Sequence, residues 1–201
     1  MLYIPSSHAF SGSLSFIGKT APFTQAHYEL ISAGVRYAID DLGLDVTDYL
    51  HVIGSAQKEN FKVNHVTETL KIDLSQRVDM VTSNILAIGR EFELICAMRK
   101  LDDLESNQKW VESVTDFITP GTVLITSNLE GVKVYFDQYA EGYLGFIYCG
   151  EDDFGTQNQD LLQEYGINSV HATEVRTWLI EGKTELAKQF LTKETIAVLG
   201  I

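Results

Sequence analysis

Cysteine is scarce in this chain: Cys96 and Cys149 are the only two in 201 residues, far apart and outside any CxxC pattern. Neither a disulfide framework nor a structural zinc site is indicated, and both thiols are expected to be buried and unreactive. Proline occurs three times, and no proline- or glycine-rich run divides the chain, so a single domain is expected. Long apolar runs are missing too, which argues against a membrane span. The opening MLYIPSSHAFSG lacks the charged-then-apolar order of a signal peptide. A cytoplasmic protein with no membrane partner is the expectation. Basic residues are few, 15 Lys and Arg against 28 Asp and Glu, for a formal net charge of −13. Such a field disfavours nucleic acid and anionic lipid as partners. A small anionic substrate is still allowed wherever local donors gather.

What is present is 45% hydrophobic residues, enough for a real core. SLSFIG (13–18) reads as a buried strand, and Tyr28, Ile31, Val35, Ala38 and Leu42 form one helical stripe. YLHVIGSA (49–56) reads as a second strand, and the polar QKENFKVNHVTET after it as a mobile loop over a site. Residues 74–89 predict a helix, FELICAM (92–98) a strand, SNQKWVESVTDFI (106–118) a helix stopped by Pro120, and TVLITS (122–127) a strand. GVKVYFDQYA fits helix or strand, GYLGFIYCG a strand, EDDFGTQNQD a polar loop, and the chain from Glu174 onward is mostly helical. Alternation of this kind predicts an α/β fold, a parallel sheet with helices on both faces and ligands beyond the carboxyl ends of its strands. The whole of 1–201 is expected to be one domain, with a core over 13–170 and a helical part over 171–201.

The stretch SFIGKTAPFTQAHYELI (15–31) places polar groups around the start of a helix. Helix N-termini offer unpaired N–H groups and partial positive charge, so phosphate oxygens are stabilised there. Thr24 can cap, His27 lies one turn in, and Lys19 adds a full charge. Together they make a phosphate cradle, although a capping threonine and a helical histidine are more often structural.

GKTAPFTQAH resembles the signature loop of the nucleotidyltransferase superfamily: Gly18, Pro22, Thr24 and His27 fall on its positions, with Thr24 and Ala26 replacing the first histidine and the glycine of HxGH. VHATEVRTWLIEGK (170–183) resembles the second signature, with Thr173 and Arg176 matching and His171 and Ala172 standing where serine or glycine is expected. GSAQ (54–57), QRVDM (76–80, with Arg77) and DLESNQKWVESVTDFITPGTVLITSN (103–128) are similar to segments of the archaeal-type nicotinamide mononucleotide adenylyltransferases. An arginine expected after GSAQ is absent, leaving Lys58 or Lys62 to replace it.

The resemblance implies a Rossmann-like sheet and adenylyl transfer from ATP to nicotinamide mononucleotide (NMN), giving NAD and pyrophosphate, with Mg²⁺ on the polyphosphate. It implies that His27 and Thr24 contact ATP phosphates, that Lys19 and Arg176 stabilise pyrophosphate, and that Thr173 joins this ATP site. Gly18 and Gly54 would let backbone approach the nucleotide. Asp103, Asn107 and Trp110 would bind NMN, the indole stacking on nicotinamide; a tryptophan on an amphipathic helix is otherwise a core residue. No protein-ligated metal is implied. Relatives of this type are usually homo-oligomers, and an apolar face around Phe190 and Ile196 could serve an interface. His8, His51 and His65 are expected to be structural or solvated.

Two other classes remain open. HVT (65–67) and HAT (171–173) are H-x-T units, as in two-histidine phosphoesterases that use paired imidazoles as acid and base. The substitutions at Ala26, His171 and Ala172 would also suit a nucleotide-binding relative without turnover. Transferases acting on other phosphorylated acceptors would lack the set Asp103, Asn107 and Trp110.

Overall fold

The continuous apolar run that opens the core is a central strand buried on both faces, as parallel sheets require. In the computed structural model of the chain, which describes residues 1–63, 68–150 and 170–201, this strand is β2, Ser13–Gly18. It pairs in parallel with β3 (Asp48–Gly54) on one side and with β7 (Val123–Thr126) on the other. β6 (Ile95–Leu101) pairs in parallel beyond β3, and β8 (Gly145–Tyr148) beyond β7. A short β1, Leu2–Ile4, adds antiparallel to β8. The six-stranded order is therefore β1-β8-β7-β2-β3-β6. Its parallel strands follow the doubly wound order of a Rossmann-like fold, with the chain reversing its direction of travel between β2 and β7. The predicted α/β class is what the chain adopts.

Helices α1 (Gln25–Arg36) and α2 (Leu74–Phe92) cover one face, contributing Leu30, Ile31, Val35, Met80, Val81, Ile85 and Ile88 to its core. Helix α1 runs on through a π-helical turn, Tyr37–Asp41. Gly34 lets α1 lie against β7, since a Cβ there would stand 2.6 Å from Ile125. Helices α3 (Asn107–Thr115) and α4 (Leu129–Tyr139) cover the other face through Val111, Val114 and Phe136. GVKVYFDQYA is thus helical. Helix α2 ends in a left-handed cap at Glu93, φ +57°, which delays β6 by three residues relative to the FELICAM reading.

Two expectations are corrected. The polar stretch after β3 is not an irregular loop: β4 (Asn60–Lys62) and β5 (Thr69–Lys71) form an antiparallel hairpin with Phe61 and Val63 buried. Phe190 does not leave an apolar face open. It packs on Trp178 at 5.2 Å inside a small third core, built by α5 (Ala172–Ile180), α6 (Thr184–Lys188) and the approach to α7 (Lys193–Leu199), against which Ile196 also rests. This C-terminal part is stitched to the loop before α1. Gln25 N–H donates to the Phe190 carbonyl at 2.9 Å, and the Thr195 hydroxyl donates to the Phe23 carbonyl at 2.8 Å. Among the described residues no helix is long and apolar enough to cross a membrane. The EDDFGTQNQD stretch and the whole HVT unit, His65 included, lie outside the described residues.

Candidate functional site

The crevice at the carboxyl ends of β2 and β7, where an open α/β sheet reverses its winding, is the expected place for a ligand. The β2–α1 connection that borders it is under backbone strain. Thr20 has φ +42°, a conformation costly for a β-branched residue, and its buried hydroxyl has no partner among the described residues. At Gly18 a Cβ would stand 2.5 Å from the Phe16 ring, so glycine is required there by packing. Gly54 faces the Gly18 carbonyl at an ordinary distance for a Cβ, 3.7 Å.

Thr24 is the N-cap of α1, and His27 closes a capping box with it. The Thr24 N–H donates to His27 Nδ1 at 3.0 Å, while the His27 N–H donates to the Thr24 hydroxyl at 3.4 Å. Burial lowers the His27 pKa to about 4, helped by the nearby charges of Arg176 and His171. The imidazole is therefore neutral, its Nδ1 is an acceptor, and its proton sits on Nε2. Nε2–H is a donor without a hydrogen-bond partner among the described residues. The ring is held by Phe23 at 5.4 Å and Phe16 at 6.0 Å.

Arg176, on α5, reaches this loop from the far end of the chain. Its Nη1 donates to the Ala21 carbonyl at 2.6 Å and its Nη2 to the Thr173 hydroxyl at 2.9 Å, while buried Nε has no partner among the described residues. The guanidinium lies 5.8 Å from the centre of the Phe61 ring. Burial lowers its pKa, an effect opposed by Glu174. Lys19 is exposed at the mouth of the loop. His27, Thr24, Lys19, Thr173 and Arg176 thus gather around one end of the sheet.

Arg77 has a role the sequence pattern does not reveal. It is fully buried, and its guanidinium donates to the carbonyls of Gly54 at 2.6 Å, Ser55 at 2.9 Å and Lys58 at 3.2 Å, and from Nε to Lys19 at 3.1 Å. No carboxylate pairs with it among the described residues. Burial lowers its pKa to about 10, with Asp103 opposing, so it stays charged at neutral pH. It ties the β2–α1 loop to the GSAQ loop and also stacks on Phe61, at 5.2 Å. Its one sequence signal is a charge on the apolar stripe that continues through Val81, Ile85 and Ile88.

The set expected at the nicotinamide end is divided. Asp103 Oδ1 accepts from the Ser55 hydroxyl at 2.6 Å, Oδ2 pairs with Lys58, and the Asp103 N–H donates to Gln57 Oε1 at 3.0 Å. Hydrogen bonds from Lys58 and Ser55, with the charges of Lys58 and Lys19, hold its carboxyl below the usual range. Asp103 therefore fastens the GSAQ loop, where Ser55 is itself in the left-handed region at φ +51°. Asn107 is exposed at the start of α3. Trp110 stands edge-on to Phe136 at 5.8 Å and Tyr135 at 6.5 Å, half-buried between α3 and α4.

The other histidines sort differently. His51 is fully buried, its Nδ1 3.0 Å from the Tyr49 hydroxyl; burial, with His27 nearby, lowers its pKa to about 3. His171 caps α5 and is exposed, so the HAT unit begins a helix instead of lying in a strand. His8 is exposed and edge-on to Tyr143. Cys149 is buried and Cys96 half-buried with its pKa raised by burial, which suits unreactive thiols. No group of three or more His, Cys, Asp or Glu among the described residues could hold a metal ion.

No protein-family model and no curated protein matches this chain.

Proposed function

We propose that this protein transfers the adenylyl group of ATP to the phosphate of NMN, forming NAD and releasing pyrophosphate. One observation carries the reading: the cap at Thr24 fixes His27 with Nε2–H as a donor free among the described residues, beside an arginine delivered from the far end of the chain. An NMN phosphate oxygen attacks the α-phosphorus, and the bond from that phosphorus to the bridging oxygen of pyrophosphate breaks. No covalent protein intermediate is needed. The protein's work is positioning and stabilisation of growing negative charge.

In this reading His27 Nε2–H donates to a phosphate oxygen of ATP, and Thr24 acts by orienting that ring. Lys19 and Arg176 stabilise pyrophosphate, Thr173 orients Arg176, and Gly18 and Gly54 keep the strand ends open to the nucleotide. Asp103 shapes the acceptor side through the GSAQ loop. Asn107 and the exposed part of Trp110 recognise the nicotinamide end. The donors of this site are cationic or neutral and do not form a metal-binding set, so Mg²⁺ enters on the polyphosphate as part of the substrate, and no step is assigned to it.

A second reading, nucleotide binding without turnover, is favoured by one observation: Arg176 already spends two donors on Ala21 and Thr173. Incubation with ATP, Mg²⁺ and NMN separates the two. Appearance of NAD with equimolar pyrophosphate supports transfer. ATP binding with neither product supports the second reading, and absence of both binding and product removes the proposal.

A further inference from the structure

Two guanidiniums lie over one buried ring. Phe61, 6% exposed in β4, has Arg77 at 5.2 Å from its centre and Arg176 at 5.8 Å. The arginines come from α2 and α5, and each also grips the β2–α1 loop. Arg77 Nε donates to the Lys19 carbonyl at 3.1 Å, and Arg176 Nη1 donates to the Ala21 carbonyl at 2.6 Å. Lys19, Arg77, Phe61, Arg176 and Ala21 thus form a closed circuit of contacts around Thr20, the residue with the left-handed backbone. Strain of that kind persists where the surroundings over-determine it, and it gathers at ligand sites.

The hairpin that carries Phe61 is fastened to the same circuit. A two-stranded ribbon with three residues per strand has little stability of its own. Arg77 Nη1 holds the Lys58 carbonyl at 3.2 Å just before β4, and the Ile72 N–H donates to the Glu59 carbonyl at 2.9 Å across the base. Phe61, Val63 and Ile72 are buried, while Asn60 and Lys62 are exposed, and β5 packs beside α5. Phe61 is the only aromatic residue among the described positions of the hairpin, and it is the one placed against both charges.

Two hydrogen bonds do not fix a guanidinium. Bonds from Nη1 to Ala21 and from Nη2 to Thr173 leave its plane free to hinge about the line joining those nitrogens. A third contact is needed, and the ring of Phe61 supplies it through the attraction of its face for the cation. The remaining N–H donors lie in the guanidinium plane, so the tilt of that plane decides where an oxyanion can be bonded.

We infer that Phe61 is a positioning residue for Arg176: its ring, held by Arg77 and the core, sets the guanidinium so that the unused donors meet a pyrophosphate oxygen beside His27. The inference rests on the proposed transfer for its ligand and extends that site to the hairpin. A leucine or methionine would fill much of the same space without drawing the cation.

Calorimetric binding of pyrophosphate with Mg²⁺ to the full chain, together with kcat for NAD formation, tests it. Phe61→Met and Phe61→Leu should each weaken pyrophosphate binding and lower kcat by roughly tenfold, the scale of one desolvated cation–π contact, with KM for NMN unchanged. Merely structural damage would reduce the folded fraction seen by circular dichroism and leave the affinity of the remaining folded protein where it was. In an Arg176→Met background the same substitutions should add little, because the group they position is gone. Variants that fold and bind pyrophosphate like the parent overturn the inference. So does a loss of equal size with and without Arg176. A parent that binds pyrophosphate yet forms no NAD ends the transfer reading, and binding alone then decides the role of Phe61. A parent that binds no pyrophosphate overturns both.

Discussion

Arg176 Nη1 donates to the Ala21 carbonyl at 2.6 Å across 155 positions of sequence. That bond makes the C-terminal helices part of the β2–α1 loop, and it fixes where the guanidinium charge sits relative to His27. The loop carbonyl is also one that a substrate phosphate cannot engage, so the arginine serves the loop first and has its remaining donors for a ligand.

Replacing Arg176 with lysine keeps the charge and loses the fork that spans Ala21 and Thr173. For the proposed transfer, Arg176→Lys should lower kcat by roughly 10²-fold, the usual scale for removing a transition-state donor. The midpoint of urea unfolding should move little by comparison. Full turnover in that variant would remove the guanidinium from the chemistry.

His27 has two jobs that can be separated. His27→Gln keeps an acceptor able to reach back to the Thr24 N–H, as glutamine does at this position of a capping box. It should preserve stability while lowering turnover by about 10²-fold or more. His27→Ala should lose turnover to a similar extent and also cost about 1 kcal/mol of stability through the lost cap. Urea unfolding and product formation, measured on both variants, distinguish the cap from the donor.

How much of this was legible in the sequence depends on whether the partner of each residue is local. β2 and the start of α1 could be read because six residues of unbroken strand pattern run into a capped helix, and their signals lie within the segment itself. The hairpin could not, because each of its strands has three residues and β4 buries only Phe61 among polar neighbours. Phe61 is buried against the main core and beneath two guanidiniums, all from elsewhere in the chain. β1 is illegible for the same reason: its three residues pair with β8, more than 140 positions away, as Leu2 does with Tyr148. In the sequence the convergence of His27 and Arg176 has only a resemblance between motifs behind it, since nothing in either segment alone specifies the other. The division of Asp103 from Trp110 was hidden because register along a helix does not say which neighbouring loop a preceding carboxylate will join.

Acid should unfold the protein through its buried imidazoles. In the unfolded chain His27 and His51 titrate near 6.5, and in the folded protein burial lowers them to about 4 and about 3. The unfolded state therefore binds more protons as pH falls below 6.5, and stability declines from there toward 3. Each histidine contributes a slope of up to about 1.4 kcal/mol per pH unit between its two values. Urea midpoints measured from neutral to acidic pH should follow this decline. His51→Gln should flatten it by one proton's worth, most clearly below pH 4, where His27 has itself become charged. An unchanged slope in that variant would mean His51 is not held neutral.

Arg77 offers the sharpest contrast between a buried charge that is paired and one that is solvated by carbonyls. Its guanidinium is the donor shared by Lys19, Gly54, Ser55 and Lys58, so Arg77→Met would fill much of the volume yet leave those acceptors without their cation. Hydrogen bonds from a charged donor are worth about 1.5–3 kcal/mol each before the relief of burying a charge is counted. The variant should lose roughly 3 kcal/mol or more in urea unfolding. Thr20 supplies the counter-test on the same loop. Its left-handed backbone and a hydroxyl without a partner among the described residues cost energy in the native state, so Thr20→Gly should stabilise the protein by about 1 kcal/mol despite glycine's greater freedom when unfolded. Should Arg77→Met prove neutral while Thr20→Gly destabilises, the loop would be held by something other than the guanidinium.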